Sequence, residues 1–486
     1  MQYHCLMDMR DTIPSNEPYA SAAGTLPLEG TDFAGDVRAH AEHAGVAPRV
    51  SSETTDSALA ACESSESPLA PRVLVVHASV GSGHKSAAVA VAQAIEELRD
   101  NPDAARSLGI DVPAGTDVEV LDILDFGRIR FDGNKTASMF TGITRPIYDL
   151  TWRFTFTGRL LWGGGTGISR VMFPRFTEHV ARTKPLAVVC THIMAANCAV
   201  GARMITGLDF PILSVPTDYE TEGLWPHRQT DLFCIDTESM AETLRPRLVP
   251  ERNMLITGIP TRSDFRRIYD KEDVRAQFGL PNDKKVVLAL AGANLPKPYV
   301  HFREALDQVL PAIHHFTDMH LVVVTGKDLE YAARLENLVR DLELENVTIL
   351  HYVSEMAALM AASDVAICKS GGLTVTECLC AETPMILIGQ AYGQEKANVL
   401  MLTSMGAALH VTTARELLGA LRNFSQRPES LQALLVNGRT IRRPNAALDV
   451  AAAAFRLAAL SPEECHTDRR KRFLNVYWGK KPAHTR

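Results

Sequence analysis

Two glycine-bearing stretches of this chain hold the residues best equipped for chemistry. They are Ala78-Ser-Val-Gly81-Ser82-Gly83-His84-Lys85-Ser86 and Ser370-Gly371-Gly372-Leu373-Thr374-Val375-Thr376-Glu377. Glycine lets a backbone turn sharply and approach a ligand closely, and a helix that starts there points free N–H groups at an anion. In the first stretch, a Walker-type nucleotide loop would need glycine in place of Ser79 and His84, and a dinucleotide fingerprint would need it in place of Ser86. What remains is a site for a sugar, an acceptor or a phosphate, built on Gly81, Ser82 and Gly83 with His84 at its mouth. His84 is the one side chain there whose ordinary pKa lies near neutrality, which suits a general base. The competing reading makes it a helix-start residue bonded to its own turn.

In the second stretch, small residues expose consecutive N–H groups at the positive end of a helix dipole, which suits a diphosphate. Thr374 or Thr376 can cap the helix or bond a phosphate oxygen. Glu377 can accept bonds from ribose hydroxyls, or simply favour the dipole as acidic first-turn residues do. The strand and loop from Pro384 to Asn398 add Gln390, Gln394 and Asn398. Their amides offer sugar hydroxyls both donors and an acceptor.

These stretches need strands to aim them. Short apolar runs rich in β-branched residues, suited to buried parallel strands, fall at 72–77, 118–124, 187–191, 212–215, 232–235 and 254–257. A second series runs through 285–290, 321–325, 347–350, 365–368 and 385–388, with helical stretches between, such as 87–98 and 375–380. Two successive β/α series predict an α/β protein of two doubly wound, Rossmann-like domains facing a cleft. The expected division is an N-terminal domain over 71–270 and a C-terminal domain over 271–460. The crossing between them is expected at Gly258-Ile-Pro260 and the charged 262–273.

Composition narrows the function further. The chain has 486 residues and a net charge of −7, which argues against nucleic-acid binding. Residues 1–70 carry eleven acidic and three basic side chains, are rich in Ser, Thr, Ala and Pro, and predict a disordered acidic tail. The nine cysteines form no Cys-x-x-Cys pair and no zinc spacing, so no metal is expected from them. They read as small buried hydrophobes of a reducing compartment. Residues 1–10 lack a continuous apolar stretch, and no run approaches the ~18–20 apolar residues of a bilayer span. A cytoplasmic protein is expected.

The stretch from Ser370 to Ala407 resembles the family 28 glycosyltransferases. Gly371, Gly372, Thr374, Glu377, Pro384, Gln394 and Asn398 follow in order their pattern of Gly-Gly-x-Thr-x-x-Glu, a proline-bearing strand and Gly/Gln-Gln/Glu-x-x-Asn. With the His84 turn, Thr217-Asp218-Tyr219 and Gly258-Ile-Pro260, the likeness extends over about 71–455. It points to monogalactosyldiacylglycerol synthases and processive diacylglycerol glucosyltransferases. The undecaprenyl-linked N-acetylglucosaminyltransferase of peptidoglycan synthesis is a more distant likeness. The resemblance implies a GT-B fold and an inverting, metal-free displacement. It sets UDP against Tyr352 and Val353 (uracil), Glu377 (ribose) and Gly371, Gly372, Leu373 and Thr374 (diphosphate). The sugar falls near Gln394 and Asn398, and His84 is the candidate base or at least an acceptor-side residue; Asp218 is the next candidate for the base. Two departures are a missing histidine a few positions after Thr217-Asp218-Tyr219 and a glycine-poor entry at 289–294.

Between 126 and 175 lie eight basic residues, two acidic ones and nine aromatics. Arg145, Trp152, Arg153, Arg159 and Trp162 make this the composition of an interfacial segment, expected to touch an anionic membrane surface. The competing reading is an insertion packed on the N-terminal domain. The basic tail at 461–486 has a similar character. The leading expectation is transfer of galactose or glucose from a UDP-sugar to diacylglycerol or a related lipid, by a peripheral membrane enzyme. Rival readings are a UDP-sugar epimerase of the same fold, a UDP-N-acetylglucosamine-dependent transferase with another acceptor, a nicotinamide-dependent oxidoreductase and an inactive binding protein.

Overall fold

The computed structural model describes residues 70–128, 171–221, 225–292, 300–389, 391 and 394–460. The acidic segment 1–69, the candidate membrane residues Arg145, Trp152, Arg153, Arg159 and Trp162, and the tail 461–486 lie outside the described residues.

The first sheet holds β1 (Arg72–His77), β2 (Asp117–Asp122), β3 (Ala187–Cys190), β4 (Ile212–Ser214), β5 (Leu232–Ile235) and β6 (Met254–Ile256), in the order β2-β1-β3-β4-β5-β6. The second holds β7 (Lys285–Leu290), β8 (Met319–Val324), β9 (Val347–Leu350), β10 (Val365–Cys368), β11 (Met385–Ile388) and β12 (Ala408–Val411), in the order β12-β11-β10-β7-β8-β9. All neighbouring strands are parallel. Helices cover both faces of such sheets, so their central strands read as unbroken apolar runs, and Val73 to Val76 is fully buried. This is the GT-B arrangement expected from the sequence.

Five helices matter for the site: α1 (Ser82–Asp100), α2 (Ile193–Thr206), α3 (Gly372–Cys380), α4 (Gln394–Ser404) and α5 (Ala446–Ala459). Strand order reverses beside β1 in the first sheet and between β7 and β10 in the second. Ligands of open α/β sheets bind at the carboxyl ends of strands at such switch points. The two glycine stretches follow β1 and β10 and therefore stand there.

Two elements differ from the expectation. Helix α1 begins at Ser82, so Gly83 and His84 sit on its first turn rather than in a free loop before residue 87. The sixth strand of the second sheet, β12, was not foreseen. It is an edge strand whose Leu409 and His410 are partly exposed, so its sequence carries no continuous apolar run.

The last helix returns to the first domain, where α5 packs on α1 and β3. Its alanine-rich face, with Ala451 to Ala454 buried, permits a close approach. Just before this helix the chain also packs tightly on Gly258, at φ +90°, where a Cβ would overlap the side chain of Arg443. A residue with a side chain is strained at that φ whatever the space, so the crossing needs glycine.

Candidate active site

Helix α1 starts from Gly81, whose extended backbone leaves the first turn without a side-chain cap. His84 lies on that turn, and two loops hold its ring. Nδ1 is 2.9 Å from the Thr191 carbonyl oxygen, at the end of β3, and 3.0 Å from Thr217 Oγ1, beyond β4. A carbonyl oxygen only accepts, so Nδ1 carries the proton and Nε2 is left with a lone pair. Thr191 Oγ1 donates to the His84 carbonyl at 2.8 Å, tying helix start and strand end from both directions.

The His84 ring meets that of His192 edge-on, with centroids 4.6 Å apart. His192 Nδ1 accepts from Met194 N at 3.1 Å and so caps α2. Burial pushes the His84 pKa down to about 4 and that of His192 well below the ordinary value, with neighbouring histidines adding to both depressions. Both rings are therefore neutral at physiological pH. Together with Thr217, Asp218, Glu220 and Trp225 they line one cleft. A neutral, oriented imidazole can take up a proton as a general base, although a pKa of about 4 makes it a weaker one than a pKa near neutrality would.

Across the cleft, Gly371 precedes α3, again with no side-chain cap. Thr376 does not face a ligand: its hydroxyl donates to the Gly372 carbonyl at 2.8 Å, and it is buried. Thr374 stays partly exposed on the first turn. No room exists for a side chain at Gly372, where a Cβ would overlap the Thr217 carbonyl. The two domains thus meet backbone to backbone beside His84.

Asp218 belongs to this contact. Its Oδ1 accepts from Asn398 Nδ2 at 2.9 Å, and its carboxylate also takes a backbone bond from Gly372. Burial raises its pKa to about 6; the Asn398 and Gly372 bonds and Lys369 oppose the rise, and Glu395 adds to it. Asn398 is fully buried on α4. Gln394 opens the same helix, and its side chain lies outside the described residues.

Glu377 follows on α3, half-buried, its pKa raised to about 7 by burial, with Arg262 opposing the rise and Asp264 adding to it. Arg262 itself pairs with Asp264 at 3.0 Å. Tyr352 and Val353 follow β9, an edge strand, at the same carboxyl end of the second sheet. The Tyr352 ring is exposed, with Lys327 Nζ 5.7 Å from its centroid, while Val353 packs into the core.

The structure thus gathers His84, Asp218, Gly371, Gly372, Leu373, Thr374 and Asn398 around one contact between the domains. Glu377 sits one turn along α3, and Tyr352 and Val353 follow the edge strand β9 at the same carboxyl end of the sheet. Sequence reasoning missed Thr191 and His192. The only signal was their place at a strand end before a helix, where a capping residue is expected.

Among the described residues no group of His, Cys, Asp and Glu is placed to hold a metal ion, and no helix is long and apolar enough to cross a membrane. The six described cysteines are free and buried.

Comparison with known proteins bears on the family and on the fold. Residues 298–433 match the glycosyltransferase family 28 C-terminal domain, and residues 139–261 match monogalactosyldiacylglycerol (MGDG) synthase. The family 28 likeness of the second glycine stretch is thereby borne out. Processive diacylglycerol beta-glucosyltransferase of Bacillus licheniformis is 27% identical over 271 residues, covering 56% of this chain and 68% of that protein. The Bacillus cereus protein of the same name is 23% identical over 382 residues, covering 78% and 91%. Two solved structures share the fold. UDP-GlcNAc 2-epimerase from Neisseria meningitidis bound to UDP-GlcNAc matches with a TM-score of 0.51 at 14% identity, covering 79% of this chain and all of that one (100%). The S. aureus MnaA-UDP co-structure matches with a TM-score of 0.50 at 12% identity, covering 78% and 94%.

Proposed function

We propose that this chain, a hexosyltransferase of the family 28 type, moves a hexose from UDP-glucose or UDP-galactose to the free hydroxyl of diacylglycerol or a closely related lipid. The observation that carries the reading is the neutral His84, whose Nδ1 is held by Thr191 and Thr217 and whose Nε2 is free, beside the uncapped start of α3. The two domain matches and the diacylglycerol-using relatives support it.

In this reading the free N–H groups of Leu373 and Thr374 bind the diphosphate, where the helix dipole favours negative charge. Glu377 accepts from the ribose hydroxyls, and the uracil lies against Tyr352 and Val353. The acceptor oxygen attacks the anomeric carbon on the face opposite UDP. The new C–O bond forms as the bond to the β-phosphate breaks. The hydroxyl proton passes to His84 Nε2, and UDP departs with the electron pair, so the anomeric configuration inverts. Nothing in this step needs a metal to balance it, because the α3 N-terminus takes the leaving charge. Asp218 is the alternative base, with a carboxyl whose raised pKa of about 6 still leaves it mostly ionised at neutral pH.

The basic aromatic segment 126–175 would bring the enzyme to an anionic membrane as a peripheral protein, where its acceptor resides. The test is incubation with labelled UDP-galactose, UDP-glucose and UDP-N-acetylglucosamine, with and without diacylglycerol vesicles. Labelled glycolipid from either hexose is the expected result. Label found only in a free epimerised sugar nucleotide, or transfer only from UDP-N-acetylglucosamine, overturns the reading.

A further inference from the structure

We propose that Asn398 is a positioning residue that locks the two domains together and, through the 217–219 loop, holds the base in place, rather than a contact to the transferred sugar. The inference rests on the transferase reading above and departs from the role that the family resemblance gives this amide.

The bonding capacity of Asn398 is already taken. Its Nδ2 donates to Asp218 Oδ1 at 2.9 Å and to the Ser370 carbonyl at 2.8 Å, while its Oδ1 accepts from Tyr219 N at 2.9 Å. Both donors are used, and the side chain has no exposed surface from which to reach a sugar hydroxyl. One partner, Ser370, belongs to the second domain's glycine stretch. The other two belong to the first domain's loop.

That loop is also what grips the base. Thr217 Oγ1 lies 3.0 Å from His84 Nδ1, next in sequence to the Asp218 that Asn398 holds. The contact is reinforced where the Tyr219 hydroxyl meets Thr376 Oγ1 at 3.2 Å and where Gly372 lets α3 abut the Thr217 carbonyl. An uninterrupted chain of contacts therefore runs from the helix that would bind the diphosphate, through one amide, to the imidazole. The neutral amide supplies two donors and an acceptor there together. A carboxylate at this position would face the carboxylate of Asp218 and the carbonyl of Ser370.

The experiment compares Asn398→Ala and Asn398→Asp with the parent full-length protein, using UDP-glucose, UDP-galactose and UDP alone. A displaced catalytic group costs on the order of 10²-fold in rate. The expected result for Asn398→Ala is a loss of kcat of about that size. The loss should be of similar extent for each donor the parent accepts, with KM and UDP affinity little changed. A sugar contact predicts the opposite: a donor-dependent loss with raised KM, and that pattern overturns the proposal, as does an unchanged kcat.

Asn398→Asp preserves the shape and supplies the second arm, which serves even if the alanine variant does not fold. Two carboxylates in contact share a proton at low pH, which restores a donor. Glu395 and Lys369 also face Asp218, and both are left intact. Activity of this variant relative to the parent should rise as pH falls from 8 to 5.5, an outcome that a general packing defect does not give; the sugar contact is separated by the donor dependence and KM of the alanine variant. A ratio that stays flat with pH counts against the lock.

A readout independent of transfer separates this inference from the activity itself. The radius of gyration by X-ray scattering should exceed the parent's for Asn398→Asp at pH 8 and return toward it at pH 5.5. If the parent transfers no hexose yet this shift occurs, the transferase reading fails and the lock stands. If the parent transfers hexose and the shift is absent, the reverse holds.

Discussion

Gly83 faces Leu373 across the contact between the domains: a Cβ built on the glycine would lie 3.6 Å from the leucine Cβ. Each residue sits on the first turn of an uncapped helix, one in each domain. Two positive helix ends thus converge on one cleft. That is a favourable place for a leaving diphosphate, and an unfavourable one for a protonated histidine. The depressed pKa of His84 fits the same surroundings.

Replacing His84 by Ala is expected to lower kcat by a factor of about 10²–10⁴, the usual contribution of a general base. UDP affinity should change little, because in the proposed reading the imidazole takes the acceptor's proton and does not touch UDP. Steady-state rates with calorimetric UDP titration check this. Turnover that survives within a few-fold would move the base role to Asp218.

Glu377→Ala is expected to weaken UDP binding by roughly 1.5–3 kcal/mol, the value of a hydrogen bond to a charged group. Because the Glu377 pKa is raised to about 7, the carboxylate is progressively lost as pH falls through that value. UDP affinity of the parent should therefore decline between pH 8 and 6, and Glu377→Gln should flatten that dependence. Affinity measured across this range in both proteins decides it.

Gly258→Ala places a side chain at φ +90° against Arg443. Strained backbone of this kind costs of order 1–3 kcal/mol, and displacement of Arg443 adds to it. A lowered thermal midpoint, with α5 released earlier in hydrogen exchange, is the expected outcome; an unchanged midpoint would count against the tight crossing.

For the segment 126–175, Arg153→Glu with Arg159→Glu should abolish co-sedimentation with anionic vesicles. Parent binding itself should weaken with salt, since exposed charges are screened over ~8–10 Å. Trp152→Ala with Trp162→Ala should reduce binding even in high salt, because rings contribute apolar burial. UDP affinity should be untouched in both. If both double variants bind like the parent, the segment is internal packing.

Much of this protein is legible in its sequence because parallel strands are continuous apolar runs and because a helix start that binds phosphate demands small residues. Arg72–His77, Leu232–Ile235, Val347–Leu350, Val365–Cys368 and Met385–Ile388 appear as the sequence predicts them. The two glycine stretches announce two helix N-termini, and their spacing to Glu377 and Asn398 points to the family. The edge strand Ala408–Val411 escapes, because half-exposed strands lose the apolar continuity that marks buried ones.

What only the tertiary structure decides is which groups meet. Thr191 and Thr217 are 107 and 133 residues from His84, yet together they fix its tautomer. Asn398 is 180 residues from Asp218. Its sequence position suggests a sugar contact, but its folded neighbours occupy its donors. Local sequence specifies a side chain's bonding capacity, whereas the fold decides how much of that capacity remains for a ligand.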